Sequence, residues 1–175
     1  DEKKSSQYAV YLTQPRLGLP DRDYYFNSDE RTSNIRAEYK KHLSAIFELI
    51  GMNKETAGSN ALNVLTIEKE IATSSRKMED LRDPYKNYNK MSTSQLSKLT
   101  PSIKWAEVML TLGLKSVDSI VVAQPEYFKS LENRINGSIT LWKSYLKWNV
   151  VNRFSDYLNK QIVKQDFYFY STVLD

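Results

Sequence analysis

Apolar residues recur at spacings of three and four through most of this chain, a period that suits α-helices and little else. Ile35, Tyr39, Leu43, Ile46, Phe47 and Ile50 form the first stripe, with Thr32 or Ser33 placed to cap its start and Gly51 placed to end it. A second helix is expected from about Lys54 to Ser74, with Ala61, Leu62, Leu65, Ile71 and Ala72 on its apolar face. Residues 76–91 are polar, contain Asp83-Pro84 and Asn87-Tyr88-Asn89, and read as a loop. Ser92 with Gln95 fits a capping box for a short helix. Pro101 opens another, carrying Trp105, Val108, Met109 and Leu112 and ended by Gly113. Pro125 opens the next, with Tyr127, Phe128, Leu131 and Ile135, and Asn136-Gly137 breaks it. Ser138 then caps a long final helix with Ile139, Trp142, Tyr145, Leu146, Phe154, Leu158 and Ile162 as its apolar positions.

Two stretches depart from that period. Residues 7–13 are rich in β-formers, and residues 119–123, Ser-Ile-Val-Val-Ala, are a short apolar run bounded by Asp118 and Pro125. These two strands can pair, and a third would lie before Asp1. The expected fold is mainly α, a bundle of about five or six helices with a minor two-stranded ribbon, residues 1–175 forming one helical domain or part of one. Between the first strand and the first helix, Pro15, Gly18 and Pro20 shape an extended passage: each proline fixes φ, and Gly18 is free to take φ > 0.

Composition removes several functions. The chain has no cysteine, which excludes disulfides and thiolate metal sites. Its net charge of +4 is spread along the sequence and not gathered on one face, so it reads as solvated surface and not as a nucleic-acid footprint. No apolar run approaches the length of a membrane span. His42 is the only histidine, and zinc held by protein takes three or four ligands.

Several blocks, in order, resemble the neprilysin and endothelin-converting-enzyme family of zinc metallopeptidases. They are Tyr11-Leu12-Thr13-Gln14; Leu17, Gly18, Leu19 and Pro20 with Arg22, Asp23, Tyr24 and Tyr25; and Ile67-Glu68-Lys69-Glu70-Ile71-Ala72. Asp83-Pro84 leading to Tyr88-Asn89-Lys90-Met91, then Trp105, then Val121-Val122 leading to Pro125-Glu126-Tyr127-Phe128, complete the set. The resemblance covers most of the chain and implies a two-lobed enzyme. One lobe binds zinc through a His-Glu-x-x-His helix and a later glutamate. The other, mostly helical, closes over the site as a chamber admitting short peptides. This chain is similar to part of the second lobe; the zinc motif is absent, and no catalytic, zinc-binding or cofactor-binding residue carries over. The implied partners are the catalytic lobe of the same polypeptide and its short peptide substrates, and the implied location is outside the cytoplasm. The parent is then an enzyme, although this chain alone is not.

The remaining features have mainly structural readings. Glu38 and His42, four apart, read as a surface pair. Arg22-Asp23 reads as a pinned turn, and Arg82-Asp83 likewise. Glu68 and Glu70 do not converge on a helix, so one is expected to bond a tyrosine or arginine and the other to be solvated. Asn136-Gly137-Ser138 matches a glycosylation acceptor, although a helix break and cap explain the same residues. Trp142 and Tyr145 read as core. Trp148, Phe167, Tyr168, Phe169 and Tyr170 read as a contact with the missing lobe. The alternative is a free-standing helical module that binds peptide or protein without chemistry.

Overall fold

A computed structural model describes residues 1–174. The chain is mainly helical, with eight α-helices and three short strands among the described residues. It divides into two compact units: Asp1–Arg16 with Ser74–Gly137, and Leu17–Thr73 with the residues from Ser138 onward.

The first unit is built around β3 (Ser119–Val122), the middle strand of three. β1 (Val10–Leu12) pairs parallel to it, with Val10 opposite Ile120 and Leu12 opposite Val122. β2 (Lys90–Ser92) pairs antiparallel, with Met91 opposite Ile120. Ile120, Val121 and Val122 are all buried, as an unbroken apolar run in a central strand should be. The sequence reading expected two strands. The third lies at the end of the segment read as loop; it is three residues long and forms by pairing with β3, which no local pattern announces.

Helices α3 (Met78–Leu81), α4 (Thr93–Leu99), α5 (Trp105–Thr111) and α6 (Pro125–Ile135) complete this unit. The Ser92–Gln95 capping box forms in full. Pro101 does not open α5, which begins four residues later. The backbone N–H and hydroxyl of Ser102 donate to the Glu132 carboxylate at 3.1 and 2.6 Å, holding residues 100–103 in a turn. Trp105 is buried edge-on to Phe128, and its indole N–H donates to Thr100 Oγ1 at 2.7 Å. The polar loop is tied down by side chains. Gln14 and the Arg76 backbone exchange two hydrogen bonds, the Arg76 guanidinium forks onto Glu126, and Asn87 donates to the carbonyls of Asp80 and Asp83.

In the second unit a 3-10 turn (Arg22–Tyr25) precedes α1 (Glu30–Leu49). Asp29, and not Thr32 or Ser33, caps α1, its carboxylate accepting the Thr32 N–H at 2.9 Å. Gly51 ends the helix with φ 96°, a conformation a side chain resists. α2 (Lys54–Ser74) buries Ala57, Ala61, Val64, Ile67, Glu68, Ile71 and Ala72 on one face. α7 (Ile139–Arg153) is capped by Ser138. The expected single final helix breaks after Arg153 into a 3-10 turn (Ser155–Tyr157), and α8 (Lys160–Tyr168) restarts it. Asn159 causes the restart: its side chain accepts the N–H groups of Gln161 and Ile162, a bond that competes with a continuous helix. A wider π turn (Phe169–Val173) follows. No described helix is long and apolar enough to cross a membrane.

Candidate functional site

Glu68 lies on the buried face of α2 and is 1 % exposed. Nearby, residues 17–21 and the 3-10 turn Arg22–Tyr25 that follows them cross the unit as a strap. Tyr25 donates its hydroxyl to Glu68 Oε2 at 2.9 Å, and Tyr39 from α1 donates to the same oxygen at 3.0 Å. The Tyr25 hydroxyl also accepts the Leu19 N–H at 3.1 Å, and Tyr170 donates to the Gly18 carbonyl at 3.1 Å. Arg22 donates through Nε to the Ala72 carbonyl at the end of α2 and lies 3.5 Å from Asp23. Arg36 donates to the carbonyls of Tyr24 and Asn27. The block Leu17, Gly18, Leu19, Pro20, Arg22, Asp23, Tyr24 and Tyr25 therefore lies across a carboxyl hub, with Leu19 and Tyr25 buried.

Burial pushes the Glu68 carboxyl up to about 7, against the hydroxyls of Tyr25 and Tyr39 and interactions with the Gly18 backbone and Trp148, which favour its anion. Tyr25 and Tyr39 are raised well above the ordinary phenol range, first by their own burial and then by the neighbouring carboxylate. Glu70 is exposed, so the division between the two glutamates follows the sequence expectation.

His42 is not a surface residue paired with Glu38. It is 1 % exposed, stacked on Phe169 at 4.8 Å and edge-on to Trp148 at 5.5 Å. Glu38 pairs with Lys41 instead, at 2.6 Å. The physical reason is register: His42 is three residues after Tyr39 and four before Ile46, inside the buried stripe. That spacing was visible and would have placed it. Burial lowers the imidazole to about 4; the Gln165 amide lies 3.3 Å from Nδ1, so Nδ1 accepts and Nε2, without a hydrogen-bond partner among the described residues, carries the proton.

Of the five aromatics read as a lobe contact, two lie in this core. Trp148 is 1 % exposed and Phe169 is fully buried, both against Tyr39 and His42. Trp148 continues the Trp142–Tyr145 row at a further three residues, and the π turn swings Phe169 inward. Tyr170 is half-buried, while Phe167 and Tyr168 are exposed. α7 also presents Ile139, Leu146 and Val150 outward. These positions are seven and four apart and so share a face, and each is more than half exposed.

Gly18 does not use φ > 0; among the described residues only Gly51 and Gly113 do. A Cβ at Gly18 would lie 1.7 Å from the Tyr39 hydroxyl, so the glycine is required by close approach.

No group of three or more His, Cys, Asp or Glu side chains among the described residues could hold a metal ion. The lone histidine faces aromatic rings, so the residues present do not fit zinc.

A sequence profile of the N-terminal part of peptidase family M13 matches residues 1–175, and the chain belongs to that family. It is similar to neprilysin-3 of Drosophila melanogaster, 31% identical over 173 residues, covering 91% of this chain and 22% of the relative. It is 28% identical to human endothelin-converting enzyme 1 over 172 residues, covering 95% of this chain and 22% of that protein. Zinc metalloprotease Zmp1 of Mycobacterium tuberculosis in its open state superposes with a TM-score of 0.90 at 26% identity, over 100% of this chain and 28% of that one. Zmp1 bound to an inhibitor gives 0.86 at 26% identity, over 94% and 25%. The chain thus spans roughly a quarter of the length of the proteins it matches.

Proposed function

We propose that this chain is a non-catalytic part of the chamber-forming lobe of a neprilysin-like zinc metalloendopeptidase. It walls the substrate chamber and limits cleavage to short peptides by steric exclusion. The zinc and the hydrolytic chemistry belong to a catalytic lobe elsewhere in the same polypeptide, and the protein works outside the cytoplasm, as the family resemblance implies. Closure of the two lobes would assemble the site and keep bulk water out.

The observation that carries this reading is the outward face of α7. A helix apolar on opposite sides is built to be covered on both. Tyr145 and Trp148 face the core, while Ile139, Leu146, Val150 and, just beyond, Phe154 face outward with nothing over them among the described residues. The relatives are more than three times as long, which supports a reading in which further polypeptide covers this face.

The test uses the full-length polypeptide carrying Leu146→Lys and Val150→Lys. Two charges forced under a covering lobe should lower kcat/KM on short peptides by about tenfold or more and raise the length of peptide that is still cut. In the isolated chain the same pair should shift stability by less than about 0.5 kcal/mol, because both sites are exposed. Unchanged kcat/KM and an unchanged length limit would remove the reading.

A further inference from the structure

The strap of residues 17–25 is anchored at its far end by Arg22 on the Ala72 carbonyl and by Arg36 on the Tyr24 carbonyl, and over Glu68 by the hub. Three of its groups converge there: the Leu19 N–H through the Tyr25 hydroxyl, the Tyr25 hydroxyl on Glu68, and the Gly18 carbonyl under the Tyr170 hydroxyl. The groups facing Glu68 come from every element packed on it: Tyr25 from the strap, Tyr39 with His42 behind it from α1, Trp148 from α7 and Tyr170 from the π turn. None of them is a cation at neutral pH. None of the six ion pairs seen among the described residues includes Glu68, although one, Arg22–Asp23, lies within the strap. A buried carboxyl with hydroxyl neighbours and no counter-ion is held closed most firmly when it keeps its proton, because its anion gains water only when the covering segment lifts.

We propose that Glu68 is a proton-coupled latch: the strap stays shut over the protonated carboxyl and lifts more often as the pH rises, each opening releasing one proton to water. The latch does not depend on whether the chain walls a chamber. In the shut, protonated state the carboxyl O–H is a donor, and the Tyr25 or Tyr39 hydroxyl turns to accept it. With the shut carboxyl near 7 and a lifted, hydrated one near the ordinary glutamate value, opening is favoured progressively between those limits and no further above them. His42 works in the opposite sense for whole-unit unfolding, because its lowered imidazole makes the folded state gain stability as pH rises from about 4 to 6.5. Strap opening leaves His42 under Phe169 and Trp148, so the two effects separate experimentally.

Amide hydrogen exchange of the strap, expressed as protection relative to the unfolded chain, tests this from pH 4.5 to 8.5. At Leu19 the protection should fall by up to about tenfold per pH unit between roughly pH 5 and 7, then level off. In Glu68→Gln it should be flat. An unchanging protection in the unsubstituted chain, or the same fall in Glu68→Gln, would overturn the proposal. Should Glu68→Gln fail to fold, the carboxyl carbon shift of Glu68 in the unsubstituted chain decides: a midpoint near 7 is expected, and one below about 5 would overturn it.

Discussion

Gly18→Val should unfold the second unit or cost it more than about 3 kcal/mol, and Gly18→Ala should cost nearly as much. The clash arises at the first side-chain carbon, which would lie 1.7 Å from the Tyr39 hydroxyl and 2.6 Å from its ring. Tyr39 has nowhere to retreat. It is fully buried, bonded to Glu68 and packed on Phe169 at 5.2 Å. Gly51 provides the contrast: it has φ 96° with nothing within 4 Å of an added Cβ, so Gly51→Ala should cost only the left-handed backbone term, about 1 kcal/mol. Chemical denaturation of the three variants distinguishes close approach from backbone conformation. A Gly18→Ala chain within about 0.5 kcal/mol of the unsubstituted one would refute the packing described for the strap.

Trp148→Ala should cost about 3–5 kcal/mol, a large share of the 5–15 kcal/mol that stabilises an ordinary domain. The indole fills the space beside Tyr39, at 6.2 Å and edge-on, and beside His42. Its loss opens a cavity and removes an interaction with Glu68. Leu146→Ala, two residues earlier and exposed, should stay within about 0.5 kcal/mol in the isolated chain. If the two variants melted together, Trp148 would be a surface residue after all.

These two residues also mark where the sequence was and was not legible. Helix α1 follows its apolar period closely, because a buried stripe on a helix is a local property; on α2 the expected Leu62 is exposed while Val64 and Ile67 are buried, and on α6 Ile135 is exposed. Some helix ends were legible for the same reason: Gly51 and Gly113 as stops, and the Ser92–Gln95 box and Ser138 as starts, each act on their own few residues. β2 was not legible, because three residues become a strand only through pairing with a partner some thirty positions later. On α7 two apolar stripes compete, and nothing local says which one faces the core. The role of Gly18 depends on Tyr39 and Glu68, which approach it from other helices. Family membership was legible from the order of short motifs. The hub itself was half visible: the sequence expected one of Glu68 and Glu70 to bond a tyrosine or an arginine, but not that the strap's own Tyr25 would be a donor.

The central claim is that this chain shapes a peptidase without performing its chemistry, and the most direct measurement is zinc binding together with peptide turnover by residues 1–175 alone. Calorimetry with added zinc should detect no stoichiometric site, and fluorogenic short peptides should remain intact over prolonged incubation. Tight binding of zinc accompanied by chelator-sensitive cleavage would contradict the account outright.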